Sequence, residues 1–217
     1  MSGPAVPAVE AVVFDIGGVL LDWDPRHLYR KVFDDEDAME HFLGRICTPE
    51  WHAPHDRGAS IADSCARLAA AHPEHADEIW AWMTRSEEMV VGAIEESVEI
   101  LGELHRDRTA CYALSNMEAE TFPGRRERFG FFGLFDGIVI SGVEGVAKPD
   151  PAIFETLIRR FQLDPRSTLF VDDNADNLAS ASALGMRSVL FESAGALRRA
   201  LQELDLLPDG PGERRPG

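Results

Sequence analysis

The chain has 217 residues, 45% of them hydrophobic and 27% charged, enough for one sizeable core plus an inserted subdomain. Its formal net charge of −17 excludes nucleic-acid binding through the general surface, which needs a basic footprint; a phosphorylated small molecule would need local positive charge from a metal, a lysine or helix N-termini. No window approaches the roughly 18 apolar residues of a membrane span, and MSGPAVPAVEAVV lacks the charged and apolar regions of a signal peptide. Cys47, Cys65 and Cys111 match no zinc or disulfide spacing and read as buried, reduced thiols. A cytoplasmic protein with no membrane partner is expected.

Residues 11–15, AVVFD, are the first of five short apolar runs that read as buried parallel strands. No convincing strand follows between Asp22 and about Ala93. Amphipathic patterns run instead over 28–43, 61–70 and 79–89, and they predict an inserted helical cap over 23–93. Ile94, Val98 and Leu101 begin the helix that returns to the second strand, TACYALS (109–115). GIVIS (137–141) is the third strand. Asp150 and Pro151 then start a helix whose apolar stripe is Ile153, Phe154, Leu157, Ile158 and Phe161. TLFVDD (168–173) is the fourth strand, followed by a helix over 177–183 that Gly185 stops. RSVLF (187–191) is the fifth. Strand–helix alternation of this kind predicts an α/β, doubly wound (Rossmann-like) parallel sheet, with core residues 9–22 and 94–207. The tail 208–217, rich in glycine, proline and charge, reads as disordered.

Ligands of doubly wound sheets sit beyond the carboxyl ends of the strands. There this chain places Asp15, Ser115 with Asn116, Lys148 after the third strand, and Asp172 with Asp173. Three carboxylates in one place repel each other unless a cation sits among them, and hard oxygen ligands select magnesium. A carboxylate can also be a nucleophile that forms an aspartyl-phosphate. Ser115 and Lys148 would then hold phosphoryl oxygens, while Gly17 and Gly18 let backbone pass close to phosphate and metal. Of 21 basic residues only Lys31 and Lys148 are lysine; where arginine is the default, the strand-end lysine suggests a need for a compact ammonium.

In this order the residues resemble the haloacid dehalogenase superfamily of hydrolases, mostly magnesium-dependent phosphatases. FDIGGVLLD (14–22) is similar to the first motif, ALSN (113–116) to the second, AKPD (147–150) to the third and FVDDNADN (170–177) to the fourth. Residues 121–141 look like the usual link between the second and third motifs, and the helical insert lies where the family's first class of caps is placed. The resemblance implies Asp15 as nucleophile and metal ligand, Ser115 as phosphoryl binder with Asn116 beside it, and Lys148 as the balancing charge. It favours Asp173 as the direct magnesium ligand and Asp172 as the lysine's partner, with Asp172 kept among the metal candidates.

Gly17 departs from the pattern. Most family phosphatases carry a second aspartate there, whose backbone carbonyl binds metal and whose side chain is the general acid and base. Gly17 keeps the carbonyl and loses the proton, and such help is worth about 10²–10⁴-fold. A subgroup of sugar-phosphate phosphatases also resembles this chain in having glycine there with a double aspartate in the fourth motif, and an anomeric phosphate has a good leaving group. Asp22, Asp24 or a cap histidine is a candidate substitute acid. From the cap, Trp23, Trp51, His52, His55 and Arg57 are the candidates to face the substrate. The expected function is a Mg²⁺-dependent phosphatase acting on a small-molecule phosphate ester, as a monomer or homodimer. The alternatives are a 2-haloacid dehalogenase using the same aspartate, and a non-catalytic phosphate-binding protein.

Overall fold

The computed structural model describes residues 7–208; most of the tail expected to be disordered, 209–217, lies outside them. The apolar runs form five parallel strands. β1 (Ala11–Phe14) is central, and the order across the sheet is β5-β4-β1-β6-β7. β2 (Leu21–Trp23) and β3 (Val90–Ala93) form a separate antiparallel pair, and β4 is Ala110–Ser115, β5 Gly137–Ile140, β6 Thr168–Asp172 and β7 Arg187–Leu190. Every β1 side chain is buried, as expected of a strand covered on both faces. Register sets Phe14 level with Ala113 on one side and Val171 on the other. The next residue out of each strand therefore emerges at one edge. The winding direction reverses between β1 and β6, and such switch points open the crevices in which α/β sheets bind ligands.

Between β2 and β3 lie α1 (Pro25–Tyr29), α2 (Glu36–Arg45), α3 (Pro49–His52), α4 (Ile61–Ala71) and α5 (Ala76–Thr84). They have a core of their own, with Tyr29, Met39, Phe42, Ile79 and Trp82 buried together. Fully burying one such side chain contributes about 1.5–3 kcal/mol. The pattern over 28–43 is two helices rather than one: α1 ends near Tyr29, and α2 restarts where Asp35 caps the Asp37 amide.

The stretch expected to lack strands carries most of β2 and β3. These are short, one to each end of the helical segment, and their pairing is non-local, so no local alternation marks them. They tie cap to core: Asp24 N donates to Met89 O at 2.9 Å and Ile94 N to Leu20 O at 2.9 Å.

The remaining helices cover the sheet: α6 (Glu95–Arg106), α7 (Phe122–Arg128), α8 (Ser141–Glu144), α9 (Pro151–Phe161), α10 (Ala175–Ala183) and α11 (Ala194–Glu203). Asp150 caps α9 through the Ala152 amide, and Gly185 turns the chain after α10 at φ +90°. All three cysteines are buried free thiols. Among the described residues no helix is long and apolar enough to cross a membrane.

Candidate active site

Asp15 emerges from β1 with its backbone still in the sheet, its N–H donating to Val171 O at 2.8 Å. Its side-chain Oδ1 accepts from the Ile16 amide at 2.6 Å and meets Lys148 Nζ at 2.9 Å. Among the described residues nothing hydrogen-bonds Oδ2, which is left available to react or to bind a cation. The chain then turns sharply, with Gly18 N donating to Leu21 O at 2.9 Å.

The two glycines of the turn are not equivalent. Gly18 has φ +74°, and a Cβ there would collide with Asp173 Oδ2, so only glycine admits that carboxylate. Gly17 has nothing within 4 Å of where a Cβ would stand. A side chain could therefore start from this position without a clash at its Cβ.

Lys148 is 4% exposed and lies between two carboxylates, 2.9 Å from Asp15 and 2.7 Å from Asp172 Oδ2. Burial works against its charge, but the two carboxylates hold its pKa above the ordinary lysine value. Asp172 is fully buried, and Oδ1 accepts from the Asn174 amide at 2.8 Å and from Asn177 Nδ2 at 2.9 Å. Both of its oxygens are thus engaged. Burial pushes the Asp15 carboxyl upward; Lys148 opposes this and Asp172 adds to it, leaving the balance above the ordinary value.

Oxygens of Asp15, Asp172 and Asp173 lie within 4.8 Å of one another. With Asp172 held by Lys148 and two nitrogen donors, the carboxylates left for a cation are Asp15 and Asp173. An all-oxygen set next to a buried negative cluster suits magnesium, not a soft metal.

Ser115 ends β4, is buried, and opens onto the same cavity as Asp15, Gly17, Gly18, Asn116, Lys148 and Asp173. Asn116, expected as a substrate-binding group, lines the cavity, and its side-chain amide is engaged by backbone. Nδ2 donates to Lys148 O at 2.9 Å while Oδ1 accepts from Lys148 N at 2.8 Å. Both ends clamp the lysine's backbone.

The cavity encloses about 380 Å³. Its far wall comes from the cap, from the loop after β4 and from α7: Trp23, His52, Asp56, Met117, Glu118 and Arg125. The His52 ring stacks on Trp23 at 5.9 Å between centroids. Its Nε2 lies 3.7 Å from both Asp56 Oδ1 and Glu118 Oε1. Burial opposes ionisation of Glu118, but His52 and Arg125 hold its pKa below the usual value. Burial pushes Asp56 the other way, to about 6. Arg125 is 4% exposed, yet its Nε has no hydrogen-bond partner, and its nearest carboxylates stand 3.7 and 4.0 Å away on Glu87 and Glu118.

Trp51 and Arg57, expected at the substrate, are not at this cavity. Trp51 packs edge-on against Trp82 and His55 and lines a separate cleft on the cap; Arg57 is exposed to solvent. On the short α3, Trp51 and its neighbour His52 are swung to different sides. His55 is buried and held to about pKa 4, chiefly by desolvation and secondarily by His52. Asp22 and Asp24 do not line the cavity either: Asp22 pairs with His27 at 2.9 Å, and Asp24 caps α1.

Sequence reading missed Asp56, Glu118 and Arg125. Glu118 had a signal, two residues past a strand-end asparagine. Asp56 sits in HAPHDRG between His55 and Arg57, and the phase of the turn selects it. Arg125, one of several arginines in PGRRER, is distinguished only by its burial.

Residues 9–185 match the sequence profile of a family described as haloacid dehalogenase-like hydrolase. A sesquiterpene phosphatase of Aspergillus oryzae is 29% identical over 199 residues, covering 90% of this chain and 96% of that protein. Among solved structures, a haloacid dehalogenase family enzyme of Bacteroides thetaiotaomicron in a magnesium complex matches with TM-score 0.67 at 19% identity, over 85% of this chain and 94% of that one. L-2-haloacid dehalogenase of Xanthobacter autotrophicus, with chloropropionic acid covalently bound, matches with TM-score 0.61 at 20% identity, over 92% and 85%. These two likenesses concern the fold. By the profile match across most of its length, with strand-end residues gathered at one sheet edge, the chain belongs to the haloacid dehalogenase-like hydrolases.

Proposed function

We propose that the chain is a magnesium-dependent phosphatase that hydrolyses a small, hydroxyl-bearing phosphate monoester through an aspartyl-phosphate on Asp15. The observation that carries this reading is the Asp15–Lys148–Asp172 cluster with Asp173 and Ser115 facing the same cavity. Lys148 holds Asp15 in place as the nucleophile and balances charge that gathers on the phosphoryl oxygens. Ser115 contacts the phosphoryl group. Asn116 sets the backbone from which Lys148 reaches in, and Asp172 orients the ammonium without binding metal itself. Asp15, Asp173 and the Gly17 carbonyl would hold Mg²⁺, which when bound supplies a hard counter-charge to the phosphate. A dehalogenase has no such need of Asp173 beside the nucleophile, and this favours phosphate over a haloacid.

The far wall supports a polar leaving group such as a sugar. His52, Asp56, Glu118 and Arg125 would lose water and gain nothing if a hydrocarbon covered them, whereas hydroxyl groups would satisfy them. The similar sesquiterpene phosphatase makes a terpenyl phosphate the second substrate class to test. The buried free thiols suit a reducing compartment.

The test is hydrolysis of an activated aryl phosphate with magnesium, with chelator, and by Asp15→Asn. Turnover that needs magnesium and falls by about 10⁴-fold or more in the variant is expected. A folded, magnesium-supplied protein that leaves the ester intact and releases halide from a 2-haloacid would overturn the reading. A panel of sugar phosphates and a prenyl monophosphate then separates the two substrate classes.

A further inference from the structure

We infer that Asp56, carried by the cap, is the acid that protonates the leaving group, in the role left vacant at Gly17. The inference rests on the phosphatase reading above.

Asp56 lines the same cavity as Asp15, Ser115 and Lys148, but from the opposite wall. Its side chain is only 17% exposed, and among the described residues it makes no hydrogen bond; its one close polar contact is His52 Nε2 at 3.7 Å. A carboxyl this enclosed normally has partners. Here the open side of the group is the cavity, so its partner is what the cavity binds.

The cap turn over His55–Arg57 is seated firmly. It packs on α8, where Gly58, at φ +83°, meets Gly142; a Cβ on Gly58 would stand 2.9 Å from Gly142 O. Gly142 in turn sits so close to the loop after Ser115 that its own Cβ would come within 2.8 Å of Met117 O. Two close glycine contacts thus set Asp56 against the segment that carries Ser115.

The surroundings suit a proton donor. Burial raises Asp56 most strongly and Glu118 adds to this, while His52, Lys148 and Arg57 oppose it, and the result is about 6. A carboxyl near that value carries a proton for part of the time at neutral pH and can both give and take one. The other candidates do not serve: Asp22 and Asp24 are outside the cavity. Of the His52 ring nitrogens, Nε2 faces Asp56 and Glu118 while Nδ1 faces His55 Nδ1 at 3.4 Å. His52 is therefore a positioning residue for Asp56.

The step balances in two halves. Asp15 forms a bond to phosphorus as the ester P–O bond breaks. The leaving oxygen keeps the electron pair and takes the proton of Asp56. Asp56, now a carboxylate, removes a proton from water as the water oxygen attacks phosphorus. The bond from phosphorus to Asp15 breaks, inorganic phosphate leaves, and both aspartates return to their starting state.

The test compares an alkyl phosphate with an activated nitrophenyl phosphate in wild type, Asp56→Asn, and Asp56→Asn combined with Gly17→Asp. Asp56→Asn is expected to lose about 10²–10⁴-fold on the alkyl ester and less than about 10-fold on the nitrophenyl ester. Gly17→Asp, whose Cβ would meet nothing within 4 Å, is expected to restore part of the alkyl activity. Equal losses on the two esters, or no loss on either, overturn the assignment while leaving the phosphatase reading intact. A wild-type protein inactive on both esters overturns the phosphatase reading itself. Thermal melts of each variant verify folding, and Asp56→Ser replaces Asp56→Asn if the latter does not fold.

Discussion

The two walls of the cavity are built to different tolerances. On the sheet side, Asp15, Lys148 and Asp172 are joined by contacts of 2.6–2.9 Å, each fixed by a strand end or by a backbone clamp. On the cap side, His52, Asp56, Glu118 and Arg125 stand 3.7–4.0 Å apart, and Arg125 Nε has no partner. Buried charges held beyond hydrogen-bond distance of one another are costly, so the loose wall has polar capacity to spare, although Glu118 also accepts from Thr121 at 3.0 Å. The tight wall needs no ligand to be ordered. The difference is the one the proposed function requires, between a reaction centre that must be preorganised and a recognition surface that completes itself on binding.

The contrast breaks most visibly at Lys148. Lys148→Met leaves Asp15 and Asp172 buried without their cation, and a loss of about 3–5 kcal/mol in denaturant unfolding is expected. Adding Asp172→Asn should recover part of it. A Lys148→Met protein as stable as wild type would mean that the tight wall is not held by this ion pair.

Smaller effects sharpen the comparison within the turn after β1. Gly18→Ala meets both an unfavourable left-handed backbone and the Asp173 carboxylate, so about 1–3 kcal/mol of stability should be lost, together with magnesium-dependent activity. Gly17→Ala has open space and should stay within about 0.5 kcal/mol of wild type. Equal behaviour of the two variants would contradict the packing of Asp173 over Gly18.

A further expected change is on the loose wall and depends on pH. Asp56 is raised in the folded state from 3.8 to about 6. Below 3.8 the group is protonated whether the chain is folded or not, and it costs nothing. As pH rises through about 6 the folded protein must ionise a buried carboxyl that the unfolded chain has already ionised, and stability falls. Asp56→Asn should therefore be more stable than wild type at about pH 7.5, by about 1–2 kcal/mol, with the gap closing toward about pH 4. A gap that does not depend on pH would mean that Asp56 has an ordinary carboxyl.

Much of the fold was legible because its signals are local. Each sheet strand is an apolar run flanked by turn residues, and the observed ends fall within about a residue of those read from the chain. β2 and β3 escaped because three- and four-residue strands lack a period of their own, and their partners are some seventy residues away along the chain. The split of 28–43 into α1 and α2 was marked by the capping Asp35, yet the apolar stripe runs across the break and hides it.

At the candidate site, residue types and strand-end positions were enough to gather Asp15, Ser115, Asp172 and Asp173 at one edge, because a parallel sheet carries strand ends there whatever the rest of the chain does; Lys148 reaches the same edge from the loop beyond α8. The far wall obeys no such rule. His52 faces the cavity and Trp51 does not, Asp56 enters it and Arg57 turns to solvent, and Arg125 alone among its neighbours is buried. Those choices depend on helix phase and on two close glycine contacts, Gly58 of the cap on Gly142 of the core, and Gly142 on Met117 within the core. The sequence by itself determined the sheet-edge cluster of the candidate site, because strand ends place it through local pattern. Only tertiary packing decided which side chains meet it from the cap, because that depends on how two separately built cores come to rest against each other.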